Sequence, residues 1–91
     1  MTRETPDERL AWFKQNKSNR SYEECKSLLE MHGFVARDET KNHVLYKCGT
    51  QTVTVSKPHG RDKTVLMDQV RQILRAIDAA VDELKEDLND E

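Results

Sequence analysis

Three short segments in quick succession restrict the fold of this chain more than any other feature. "FVARDE" (residues 34–39), "HVLYK" (residues 43–47) and "QTVTVS" (residues 51–56) are strand-length runs with period-two patterning, the last rich in β-branched residues. Only Thr40, Lys41 and Asn42 separate the first two, and only Cys48, Gly49 and Thr50 the last two. Parallel neighbours need a crossover of a dozen residues or more, so these strands form an antiparallel meander.

A sheet this small needs one face covered, and the sequence supplies helices on both sides of it. "TPDE" (residues 5–8) and "SYEE" (residues 21–24) are capping boxes, the first with Pro at the opening helical position. In each, the hydroxyl accepts an orphan backbone N–H while the glutamate returns to the cap's own N–H. They predict helices over residues 6–15 and 22–32, joined by the polar linker "NKSNRS". Tyr22, Cys25, Leu28, Leu29 and His32 form the buried stripe of the second helix, and Gly33 supplies the left-handed residue that ends it. A long third helix begins between Thr64 and Asp68, with the stripe Leu66, Val70, Ile73, Leu74, Ile77, Val81, Leu84, Leu88. Its last turns outrun a three-stranded sheet. They pack on the first helix, on a second copy of the chain, or fray as an acidic tail.

The expected class is therefore α+β: a three-stranded antiparallel sheet with two helices on one face, in the order α-β-β-β-α. To this are added an extra N-terminal helix and an extended C-terminal helix, giving segments 1–19, 20–77 and 78–91.

Charge is unevenly spread. Residues 1–19 carry four basic and three acidic side chains, residues 20–76 ten and seven, and residues 77–91 one and seven. The middle suits a polyanion and the tail repels one. The chain has no run of about 18 apolar residues and no signal-peptide core near Met1, so neither a membrane partner nor export is expected. Cys25 and Cys48 read as free thiols of a cytoplasmic protein. His32, His43, His59 and the two cysteines are too scattered for ligand spacing, so no metal or other cofactor is expected.

Alternation sorts the strand residues by face. Val44 and Tyr46 go under the helices with Val53, Val55, Phe34 and Ala36. The opposite face holds Arg37, His43, Lys47, Thr52 and Thr54, with Val35 and Leu45 among them. An imidazole titrating near pH ~6.5 can take and return a proton at neutral pH, and neighbouring cations can stabilise charge on a reacting phosphate. The bland alternative is an ordinary surface histidine beside solvated lysines.

The order of elements in residues 21–77 resembles the HicA family, the small mRNA interferase toxins of toxin–antitoxin pairs. "SYEECKSLLEMHGFVARDETKNHVLYK" is similar to the family's first helix, Gly-aromatic turn, first strand and histidine-bearing second strand. "TVTVSKPHG" resembles its third strand and Pro-His loop, and "DQVRQILRAI" its closing helix. The resemblance implies a fold related to double-stranded-RNA-binding domains, metal-independent endoribonuclease activity on mRNA, and a HicB-like antitoxin protein as partner. It places the catalytic histidine at His43 and matches His59 to a less essential position; beside it, the reading of the open face assigns RNA contacts to Lys41 and Lys47, with Arg37 and His59 as auxiliary contacts. The family's Gly-Ser before the histidine is here Lys41-Asn42, which marks the chain as diverged. A non-catalytic RNA- or protein-binding module of the same fold, and a homodimer through the C-terminal helix, are the rival readings.

Overall fold

The computed structural model describes residues 5–58 and 64–89, the last four by backbone alone. Helix α1 (Pro6–Gln15) leads into a two-residue strand β1 (Arg20–Ser21) and helix α2 (Tyr22–Met31). Strands β2 (Val35–Glu39), β3 (His43–Cys48) and β4 (Gln51–Ser56) follow as an antiparallel meander in the order β2-β3-β4. Strand β5 (Thr64–Val65) then returns to pair with β1, and helix α3 (Met67–Asn89) closes the fold. The architecture is the expected α+β one.

Both capping boxes are formed. Thr5 Oγ1 accepts from the Glu8 N–H at 3.2 Å, and Ser21 Oγ from the Glu24 N–H at 3.1 Å. At the far end of α2, Phe34 N–H reaches Leu29 O (3.0 Å) and Gly33 N–H reaches Glu30 O (3.1 Å), while Gly33 holds φ +85°. This paired capping needs a left-handed residue after the helix, which glycine adopts without a Cβ clash.

Two expectations are corrected. "NKSNRS" is not wholly linker: Asn19 turns the chain at φ 61°, and Arg20 and Ser21 pair with Val65 and Thr64. Sequence patterning could not show this, because a two-residue strand has no period. Leu66 lies outside the helical stripe. It precedes α3, accepts the Val70 N–H through its carbonyl (3.0 Å), and leaves its side chain 73% exposed.

One core cluster joins all the helices to the sheet. Phe13, Cys25, Leu28, Leu29, Phe34, Val44, Tyr46, Val55, Val70, Ile73 and Ile77 are all essentially inaccessible. Leu10 and Phe13 bring α1 into that same cluster. Its docking is reinforced by Trp12, whose ring centroid lies 4.4 Å from the Arg9 guanidinium and 4.5 Å from that of Arg20. Glu24 Oε2 bridges both cations, at 3.6 Å from Arg9 and 2.9 Å from Arg20. Along α3, Val81 packs on the core while Leu84 is 56% exposed, so α1 and the sheet satisfy the stripe only as far as Val81.

Candidate nucleic-acid interface

The register of β3 and β4 fixes which side chains share the open face. His43 pairs with Ser56, Leu45 with Thr54 and Lys47 with Thr52. Between them Val44, Tyr46, Val53 and Val55 are buried against the helices. His43 is therefore exposed on the face away from α2 and α3, as alternation predicts. Val35 pairs with Lys47 and extends the face across β2.

The hairpin holds His43 firmly by its backbone. Its N–H donates to Thr40 Oγ1 (3.0 Å), and its carbonyl accepts the Thr40 N–H (2.8 Å). Next to it, the Asn42 carbonyl accepts the Lys57 N–H at 2.7 Å, which ties the turn to the end of β4. Among the described residues, no hydrogen bond or ion pair engages the His43 ring. The imidazole is thus anchored through its main chain with its ring nitrogens presented to solvent.

A bulge reshapes the neighbouring strand. Ala36 pairs with Tyr46 but Asp38, not Arg37, pairs with Leu45, so Arg37 is the extra residue. Strict alternation would send Asp38 beneath the helices and Glu39 to the open face. The bulge reverses both: Asp38 joins the open face beside Leu45, and Glu39 moves to the helix side opposite Val44. There Glu39 takes an ion pair from Lys57 at 2.6 Å, and chiefly that hydrogen bond holds its carboxyl below the usual range. Asp38 is an open-face acid that a period-two reading does not foresee.

The sequence-derived residues are thus brought together only in part. His43 and Lys47 share the face, Lys41 is exposed in the turn before His43, and Arg37 is exposed at the bulge. His59 lies outside the described residues. His32 caps α2, and its Nε2 meets the Pro6 carbonyl at 3.1 Å, joining the end of α2 to the start of α1. Cys25 is buried, and burial, then the charge of Glu24, pushes its thiol up to about 12. Among the described residues, no three histidine, cysteine or acidic side chains are placed to hold a metal ion, and no helix is long and apolar enough to cross a membrane.

Two features went unseen in the sequence. A groove of about 690 Å³ separates α2 from β2, with Tyr22, Ala36, Tyr46 and Pro58 along it and Lys26, Glu30 and Glu39 at its rim. In it the Tyr22 and Tyr46 hydroxyls meet at 2.9 Å, and burial together with that bond raises the Tyr46 phenol far above its ordinary value. The second is Arg75, which stands beside the outer edge of β4 with Gln72. The spacing of Arg71 and Arg75 was the available signal: four residues apart, they share the α3 face opposite Val70 and Ile73.

Compared with known proteins, the chain matches no family model, no curated protein and no solved structure. The likeness to HicA rests on its residues alone.

Proposed function

We propose that this chain is a HicA-like endoribonuclease acting on mRNA, with a HicB-like antitoxin as its protein partner. The observation that carries the reading is the placement of His43. It is exposed and pinned by its main chain, on a sheet face that it shares with Lys47 and the exposed hydroxyls of Thr52 and Thr54.

His43 takes the proton of a ribose 2′-hydroxyl as that oxygen attacks the adjacent phosphorus. The P–O5′ bond breaks, and the imidazolium returns the proton to the departing 5′-oxygen. The products are a 2′,3′-cyclic phosphate and a 5′-hydroxyl, with no net proton or electron gained or lost. Lys41 and Lys47 bind phosphate and stabilise its growing charge, with Arg37 as a further contact. The exposed Asp38 works against them, and its position near Leu45 restricts the route of the strand.

The test is cleavage of end-labelled RNA by the wild type and by His43→Ala in EDTA. Loss of cleavage and of the cyclic-phosphate product in the variant is expected. Equal cleavage by both proteins, or none by either, overturns the enzymatic reading.

A second reading, a binding module of the same fold, is favoured by Val35, 55% exposed beside Lys47 on this face. An exposed valine suits a protein partner better than phosphate. Phosphate contacts weaken steeply with added salt, whereas an apolar partner interface does not, so the salt dependence of binding separates the two.

A further inference from the structure

The free edge of β4 is not uniformly open. Helix α3 clips it at both ends. Gln69 Oε1 accepts the Ser56 N–H (3.1 Å) while its Nε2 donates to Ser56 Oγ (2.9 Å). Glu83 accepts the Thr50 N–H (3.2 Å), the Thr50 hydroxyl (2.8 Å) and Gln51 Nε2 (3.3 Å). In an antiparallel ladder, backbone groups point alternately to one neighbour and then the other. Since the Ser56 N–H points outward, those of Thr54 and Thr52, two and four residues before it in the same ladder, do too. Among the described residues neither has a partner. They face a hollow of about 410 Å³ whose far wall is Gln72 and Arg75.

Arg75 also lines a second hollow, of about 310 Å³, between the end of α1 and α3. Lys14, Lys17 and Arg71 also line it, with the Lys17 ammonium donating to the Lys14 carbonyl at 2.6 Å. Two carboxylates oppose these four cations: Asp78 at 3.0 Å from Lys14, and Asp68 at 3.4 Å from Arg71, both in largely exposed pairs that are weak in water. Arg75 has no carboxylate partner among the described residues. Asp82 and Glu83 lie roughly 10–12 Å farther along α3, beyond the ~8 Å Debye length at physiological salt, and Glu83 is engaged with Thr50. The two hollows share Arg75 and so form one donor-rich strip. It runs from the α1–α3 cleft over the edge of β4 to the threonine hydroxyls of the open face.

We propose that this strip is a second contact surface for single-stranded RNA, carrying the backbone of the strand whose reactive ribose lies at His43. The inference rests on the reading of the open face as an RNA surface, but not on cleavage there. A strip that turns around a sheet edge suits a flexible single strand. A duplex, stiff over ~150 base pairs, cannot follow it. Its donors are of the phosphate-seeking kind: guanidinium and ammonium groups, a side-chain amide and free backbone N–H groups.

The experiment measures binding of fluorescent oligouridylates in the His43→Ala background, where the strand stays intact. A short probe of about 4 nucleotides occupies the open face, and a long one of about 16 also reaches the strip. Arg75→Gln together with Lys17→Gln should weaken the long probe several-fold and leave the short one unchanged. The log–log salt slope should fall by ~0.7 for each phosphate that the variant no longer neutralises. Lys26→Gln together with Lys85→Gln removes the same two charges outside the strip and so controls for net charge, and melting by circular dichroism verifies the fold. Equal losses for both probes, or none for the long one while Lys47→Gln weakens both, would remove the strip and leave the open-face reading standing. No binding of either probe would remove both. Polyglutamate binding as tightly as RNA would refute a nucleic-acid surface, and edge-to-edge dimers in light scattering would make the β4 edge a protein interface.

Discussion

Phe13→Ala tests whether α1 is a fixed part of the fold. Of the ten residues of α1 only Leu10 and Phe13 are buried, and Phe13 is 0% exposed within the common core. Removing a buried phenylalanine side chain costs about 3–5 kcal/mol, because transfer free energy and the new cavity add. A chain of 91 residues has roughly 5–14 kcal/mol of stability in all, so this is a large share of it. There is a second penalty. An isolated helix shorter than about 12–15 residues is marginal in water, so α1 is helical because it is docked. Urea unfolding followed at once by Trp12 fluorescence and far-UV ellipticity reads both effects, since Trp12 reports its contacts with Arg9 and Arg20. In the wild type the two signals should coincide as one transition. With a slope near ~1 kcal/mol per molar urea, the variant's midpoint should fall by about 3 M or more. A shift below about 0.5 M, or a wild-type Trp12 transition that precedes the loss of ellipticity, would show α1 to be a loosely attached arm.

Three further outcomes are expected. For Glu24, burial raises the carboxyl, but the Ser21 N–H, Arg20, the Ser21 hydroxyl and Arg9 together hold it below its ordinary 4.5. Its stabilisation is therefore fully present above about pH 4.5 and is lost as pH falls through the lower folded value; Glu24→Gln should flatten this acid limb in thermal melts, and an unchanged limb would refute it. In thiol titration with an aromatic disulfide, Cys48, half-buried, should react in the native protein and Cys25 only on unfolding, so two fast thiols would contradict the packing. Val81 packs on the chain's own core and leaves Leu84 as the one exposed apolar member of the α3 stripe with a described side chain; light scattering should give the monomer mass for both wild type and Leu84→Glu, and a concentration-dependent mass abolished by the substitution would establish the homodimer.

The elements that local physics specifies were legible in the sequence. Capping boxes at Thr5 and Ser21, the glycine stop at Gly33 and period-two alternation in β3 and β4 act over a few residues, so the chain states them directly. The exposure of His43 follows from that alternation, since Val44 and Tyr46 must be buried. What the sequence could not state lies in pairings between distant segments. β1 exists only because Arg20 and Ser21 meet Val65 and Thr64, and two residues carry no period to read. The bulge at Arg37 is set by the pairing of β2 with β3, and it moves Asp38 onto the open face and Glu39 off it. The same holds for the strip at the β4 edge. Arg75, Lys14 and Lys17 are ordinary surface cations in the sequence, and only the packing of α1 and α3 beside β4 sets them in one line. Local hydrogen bonding and hydrophobic period thus determined the elements and the facing of the histidine. Long-range packing, which joins residues the chain keeps far apart, decided which charges surround it.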